Sequence, residues 1–257
     1  MSNFNKKIVL ISGGTRGIGR CAAIKFAQQG ATVIALYRSN QEAAEACLDE
    51  LIKINSTTSH KVLQCDITDA VQLETLVNQI ASDYRCIDVL VNNAGIGPYH
   101  PFESTDFATW QHMWRDTLAT NLFAAANLTF LVAKIMQQQG AGHIVNVSSR
   151  GAFRGEPDKP AYGASKAAIN ALTQSLAVKL GEYGISVTAV APGFVETELT
   201  EKKLSGKEGE SIRSQSPFNR VARTEDVANA ILYFASAEAT FSSGAILDVN
   251  GASYLRS

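Results

Sequence analysis

Apolar positions along the chain follow two rhythms. Short unbroken runs recur as "IVLIS" (8–12), "TVIALY" (32–37), "KVLQC" (61–65), "IDVLV" (87–91), "HIVNVS" (143–148), "ISVTAV" (185–190) and "AILDV" (245–249). The segments between them carry apolar residues at helical spacing, and the first of these is expected to run to Gln29 and stop at Gly30, a natural C-terminal cap. Runs that are apolar throughout, rather than at every second position, belong to strands covered on both faces. Seven of them alternating with helices predict one α/β domain over residues 1–257: a doubly wound, seven-stranded parallel sheet with helices on both sides. No linker, repeat or low-complexity tract divides the chain. Ligands of such sheets bind beyond the carboxyl ends of the strands, so the loops there are where chemistry is expected.

The first loop reads "SGGTRGIGRC", with glycines at 13, 14, 17 and 19. Glycines at a strand-to-helix junction let the backbone approach a pyrophosphate, while the free N–H groups of the helix start attract its charge. A triphosphate loop would need lysine followed by a hydroxyl residue, where this chain has Arg20 and Cys21. The second strand ends in "ALYRSN": Tyr37 stands where an NAD-selecting fold places a carboxylate, and Arg38 follows. A guanidinium there, with Arg16 on the same side, suits the 2′-phosphate of NADP(H).

In "PAYGASKAAINAL" (160–172), Tyr162 and Lys166 lie at i and i+4, on one helix face. At ~4 Å and an effective dielectric of ~20, an ammonium would stabilise a phenolate by ~4 kcal/mol, on the order of three pKa units. The neighbouring Ser148 and Ser149 must face opposite ways along a strand, so only one of them can face a ligand. No G-x-S-x-G or S-x-x-K motif supports a serine hydrolase. The histidines at 60, 100, 112 and 143 lack metal-ligand spacing and are expected at the surface or in loops; no metal site is expected. Trp110 and Trp114 are assigned to packing.

Charge narrows the partners. A net charge of −1 lacks the basic excess that binding a phosphate backbone requires, so nucleic acid is not expected. Cys21, Cys47, Cys65 and Cys86 are scattered singly and read as buried free thiols of a reducing compartment. The opening "MSNFNKKIVLISGG" has too short an apolar stretch for a signal peptide, and no apolar run approaches the ~18 residues of a membrane span. A cytosolic location is the expectation.

Four motifs in order, namely Ser12, Gly13, Gly17 and Gly19; Asn92 to Gly95; Ser149; and Tyr162 with Lys166, make the chain resemble the short-chain dehydrogenases/reductases from about residue 6 to about residue 255. The helical asparagine of that family, 28 residues before its serine, matches Asn121. The resemblance implies a Rossmann fold in which Tyr162 is the general acid, Lys166 binds the nicotinamide ribose, Ser149 hydrogen-bonds the substrate oxygen and Asn121 holds a water. It further implies cofactor contacts from Ser12, Gly13, Thr15, Arg16, Gly17, Ile18, Gly19, Tyr37 and Arg38. Asp66 and Ile67 would touch adenine, Asn93, Ala94 and Gly95 would line the adenine-ribose side, and Pro192, Gly193, Val195 and Thr197 would lie at the nicotinamide. A homotetramer is implied on the same ground.

Within the family the chain is most similar to 3-oxoacyl thioester reductases, through "SPFNRVARTEDVANAILYFAS" and "LDVNGASYL". It departs from the reductases that dock an acyl carrier protein at Tyr183, where they tend to carry arginine, and in the uncharged "QQQGAG". "NGA" also replaces the usual N-G-G or D-G-G near the C-terminus. Arg150, Arg154 and Glu156 are expected near the substrate mouth, suited to a polar or anionic substrate or simply solvated. A sugar, a small ketone, or a non-catalytic role as an NADP-binding regulator are the alternatives.

Overall fold

The computed structural model describes residues 4–256. Seven strands, β1 (Ile8–Ser12), β2 (Thr32–Tyr37), β3 (Lys61–Gln64), β4 (Val89–Asn92), β5 (Gly142–Val147), β6 (Ile185–Pro192) and β7 (Ile246–Val249), form one sheet in the order β3-β2-β1-β4-β5-β6-β7. Every pairing is parallel. The sequence places all seven strands, two of them to the residue. β4 begins two residues later than expected: the Gln139 side chain takes both backbone groups of Ile87, accepting from its N–H at 3.0 Å and donating to its C=O at 3.1 Å. β3 ends one residue early, where Asp66 accepts from the backbone and hydroxyl of Thr68 and turns the chain. β6 runs two residues further than its apolar run, to Pro192.

The helices are α1 (Gly17–Gln28), α2 (Gln41–Ile54), α3 (Ala70–Tyr84), α4 (Phe107–Leu118), α5 (Ala124–Gln139), α6 (Gly151–Arg154), α7 (Pro160–Leu180), α8 (Glu198–Leu204), α9 (Gly209–Arg213) and α10 (Thr224–Phe234). α1 stops one residue short of expectation, with Gln29 as its cap and Gly30 in the left-handed conformation at φ +87°. Alternate strand residues feed two cores. Val9, Ile11, Val33, Ala35 and Val145 pack beneath α1, α2 and α10, while Leu10, Ile34, Leu36, Leu90 and Ile144 pack beneath α3 and α5. Burial on both faces is why the five inner strands read as apolar runs, while the edge strands β3 and β7 are only partly buried.

α4, a π-helical turn (Ala119–Phe123) and α5 form one helical run, Phe107–Gln139. Contrary to the sequence expectation, this run is long and apolar enough to cross a membrane by length and composition. Leu128, Val132 and Met136 are buried in the core, and α5 packs on α3, β4 and β5, so its apolar character has a use within the fold. Side-chain caps divide the helices in a way that matters later. Asn40, Asp69 and Asp106 accept first-turn N–H groups at the starts of α2, α3 and α4, but α1 and α7 have no side-chain cap of their own.

Candidate functional site

The sheet order reverses between β1 and β4, and the loops leaving these neighbouring strands are joined by hydrogen bonds. The Ser12 hydroxyl accepts from the N–H of Asn93 (3.1 Å) and of Ala94 (3.2 Å). Asn93 Nδ2 donates back to the carbonyls of Ser12 (3.1 Å) and Gly13 (2.8 Å). The first glycine loop is thereby fixed against the wall of the cleft. At Gly19 the backbone passes so close that a Cβ would stand 2.2 Å from the Gly13 carbonyl oxygen, so only glycine lets α1 start there.

α1 has no acidic residue in its first turn and no side-chain cap, so its leading N–H groups are free for an anion. These features fit the pyrophosphate of a dinucleotide. Thr15 is buried, Ile18 packs against the core, and Arg16 is exposed with Nη1 3.7 Å from Glu198 Oε2. Tyr37 is half-buried as the last residue of β2, and Arg38 beyond it is exposed. Arg20 is committed elsewhere, to Glu50 of α2. No carboxylate ends β2. The nearest candidate, Asp66, is held below the usual carboxylate range first by its Thr68 bonds and also by Arg38.

The second half of the site comes from α7 and β5. Lys166 Nζ lies 5.7 Å from the centre of the Tyr162 ring and donates to the Val147 carbonyl at 2.7 Å. Burial pushes the lysine pKa down to about 8. The expected acidification of the phenol is absent: burial raises the Tyr162 pKa, Glu156 adds to the rise, and only a hydrogen bond with Ser149 opposes it. The reason is physical. A lysine that is itself desolvated and turned toward a carbonyl offers the phenolate little, and both charged forms suffer from the same burial.

Ser148 and Ser149 lie just beyond the end of β5 rather than within it, and their side chains take different partners. Ser148 Oγ donates to the Lys166 carbonyl (3.2 Å), whereas Ser149 Oγ accepts from the Gly151 N–H (3.0 Å) and serves Tyr162. Asn121 sits in the π-helical turn. Its side chain accepts from Ile96 N–H and donates to Ile96 C=O, both at 2.8 Å, and also donates to Ser165 Oγ at 3.0 Å. It therefore ties the loop after β4 to the residue beside Lys166. Pro192 closes β6 and accepts from the Arg150 N–H. Beyond it Gly193 donates to Val249, the Val195 side chain is buried in the core, and Thr197 begins α8 through reciprocal bonds with Thr200.

Several residues lie elsewhere than expected. His60 and His100 lie in loops as expected but are buried there, His60 Nδ1 accepting from Val33 N–H and His100 being 1% exposed, whereas His143 departs from expectation and bonds Ser186 from within β5. His112 alone is exposed. Arg150 is not at the mouth but 4% exposed, with Nη1 donating to Gln215 Oε1 (3.0 Å) and Ser253 Oγ (2.6 Å) and its guanidinium over Phe194. It is a strut between segments far apart in sequence, which no local pattern reveals. Arg154 donates to the same Gln215 oxygen at 3.3 Å. Cys47 and Cys65 are buried while Cys21 and Cys86 are half-buried, and all four are free. Trp110 and Trp114 pack on each other, their ring centres 5.9 Å apart. Among the described residues no group of His, Cys, Asp and Glu could hold a metal.

Comparison with known proteins places this arrangement. Residues 13–252 match a family model described as Enoyl-(Acyl carrier protein) reductase. The chain is 37% identical over 247 residues to 3alpha-hydroxysteroid dehydrogenase of Mediterraneibacter gnavus, covering 96% of each chain. It is 34% identical over 249 residues to the 3-oxoacyl-[acyl-carrier-protein] reductase FabG of Staphylococcus aureus, covering 97% of this chain and 98% of the other. Among solved structures it is similar to ElxO with NADP bound (TM-score 0.86, 32% identity, 96% and 98% of the two chains). It is also similar to a 7α-hydroxysteroid dehydrogenase complexed with NADH and 7-oxo glycochenodeoxycholic acid (TM-score 0.89, 33% identity, 97% and 95%).

Proposed function

Since the chain belongs to the short-chain dehydrogenase/reductase family of oxidoreductases acting on carbonyl and CH–OH groups, we propose that it is an NADPH-dependent reductase of a 3-oxoacyl thioester or a comparably substituted ketone. The observation that carries this reading is the convergence of Tyr162, Lys166 and Ser149 at the carboxyl end of β5, across the cleft from the uncapped start of α1. A bound nicotinamide would deliver the hydride to the carbonyl carbon.

The residues of the chain do the rest. The α1 N–H groups and the glycine loop hold the pyrophosphate, and Arg38 with Arg16 takes the 2′-phosphate through charge-assisted bonds. Asp66 and Ile67 flank adenine, Asn93 to Gly95 line its ribose, and the 192–197 loop lies along the nicotinamide. Ser149 donates to the carbonyl oxygen, a donor fixed in place before charge develops. Tyr162, which burial keeps protonated, then transfers its proton to that oxygen. Lys166 holds the nicotinamide ribose hydroxyls, its ammonium kept in place by the Val147 carbonyl. Asn121 keeps the loop after β4 in register with Lys166 and holds a water on the path to solvent.

Similarity to 3-oxoacyl-[acyl-carrier-protein] reductases favours the thioester. The uncharged end of α5 and Tyr183 speak against a carrier protein as the partner. The 3alpha-hydroxysteroid dehydrogenase relative makes a ring ketone the second class to test. Exposed Phe107, Phe123 and Phe130 on the α4–α5 run and Val178 on α7 support assembly as a homotetramer. The test is nicotinamide absorbance with purified protein, an acetoacetyl thioester, ketosteroids and small ketones, under NADPH or NADH. The reading requires turnover of at least one carbonyl with NADPH preferred, and no turnover with any of them would defeat it.

A further inference from the structure

The N-terminus of α7 carries Tyr162 in its first turn yet has no cap from its own sequence. Lys159 at the cap position makes no side-chain bond, and Pro160 has no N–H to offer. The first free donor is the Ala161 N–H, and its partner is 61 residues away: the Nε2 of His100, at 3.4 Å. Because an amide N–H can only donate, Nε2 must be the bare nitrogen and Nδ1 carries the hydrogen, which it gives to the Pro98 carbonyl at 2.8 Å. Both ring nitrogens are used, in the neutral form and in one tautomer only.

The rest of the residue acts in the same direction. The His100 backbone N–H donates to the Asp158 carbonyl at 2.9 Å, holding the segment that leads into α7. Its ring stands edge-on to Trp110, centres 5.6 Å apart, and Trp110 leans on Trp114. Three residues earlier in the same loop, Gly97 faces the reactive tyrosine so closely that a Cβ there would be 3.2 Å from Tyr162 Cδ2. One short loop therefore touches the phenol ring through Gly97 and fixes the helix beneath it through His100.

We propose that His100 is a positioning residue for Tyr162: a cap supplied in trans that fixes the height and tilt of the first turn of α7, and with it the phenolic oxygen relative to the substrate carbonyl. This rests on the reading of Tyr162 as proton donor. Loss of the cap lets the first turn fray, and a displacement of about 1 Å at a reacting group lowers turnover by ~10²-fold without touching the cofactor site.

The test separates the two bonds of the ring. His100→Gln keeps an acceptor at the Nε2 position, His100→Asn keeps only a donor at the Nδ1 position, and His100→Leu removes both. With a carbonyl substrate found in the panel above, the Gln variant is expected to retain at least half of wild-type kcat. The Asn and Leu variants should fall at least tenfold, with the Kd for NADPH, followed by fluorescence, within twofold of wild type in all three. Asn and Leu variants within twofold of wild-type kcat would overturn the assignment. So would a Gln variant that falls as far as they do, because the acceptor would then not be what matters. Tyr162→Phe measured alongside keeps the two ideas apart. A dead Tyr162→Phe with active His100 variants removes only the His100 role, and an active Tyr162→Phe removes the tyrosine reading and this inference with it.

Discussion

Lys166 should cost the protein stability at neutral pH, and replacing it should give that stability back. Burial moves its pKa from 10.5 to about 8, so below pH 8 the native state holds an ammonium that the unfolded chain would solvate better. At 1.36 kcal/mol per pKa unit this amounts to about 3 kcal/mol at pH 7. Lys166→Met keeps the volume and removes the charge, but it forfeits the 2.7 Å charge-assisted bond to the Val147 carbonyl, worth at least about 1.5 kcal/mol. The net gain of up to about 1.5 kcal/mol corresponds to a rise in melting temperature of up to roughly 6 °C for a chain of this size.

The sign with pH is fixed by linkage. Between pH 8 and 10.5 the unfolded lysine stays protonated while the native one does not, so the wild type gains stability as pH rises and the advantage of the variant disappears. The measurement is thermal or urea unfolding of both proteins without cofactor, at one fixed protein concentration, at pH 7 and pH 9.5. A variant less stable than wild type at pH 7, or a gain of equal size at both pH values, would refute the reasoning. Activity should move the opposite way, with turnover lost at both.

Further expectations concern the two halves of the cleft. Arg38→Ala should weaken NADPH by ~10–100-fold, the value of a charge-assisted bond of ~1.5–3 kcal/mol, and leave NADH within about threefold; equal losses in a fluorescence titration would count against the 2′-phosphate contact. Ser149→Ala should reduce kcat by ~10²-fold with little change in NADPH affinity, as for removal of a donor to a developing oxyanion. Gly19→Ala forces a Cβ toward the Gly13 carbonyl, and should both destabilise the fold by ~1–3 kcal/mol in urea unfolding and abolish detectable cofactor binding.

What the sequence made legible follows the range of each interaction. Strands buried on both faces announce themselves as unbroken apolar runs, and the glycine loop and the Tyr162–Lys166 pair are encoded within one or two turns of chain. Residues whose role depends on distant partners stayed hidden. His100 looks like any loop histidine until α7 is seen to start without a cap, and Arg150 looks like a solvated charge until Gln215, Ser253 and Phe194 close over it. A longer signal did exist for His100: Lys159-Pro160 offers no capping side chain to a helix that must hold a reactive residue in its first turn. The phenol misled for another reason. Spacing gives the neighbour of Tyr162 but not its solvation, and solvation decides the direction in which both groups shift.

The central claim is that the Tyr162 phenol donates the proton that accompanies hydride transfer. Its most direct test is the kcat of Tyr162→Phe on the best carbonyl substrate, measured together with the Kd for NADPH. The account predicts a fall in kcat of at least ~10²-fold with cofactor affinity within a few-fold of wild type, since a general acid contributes ~10²–10⁴-fold. A variant that still reduces the substrate at a rate near wild type would contradict it.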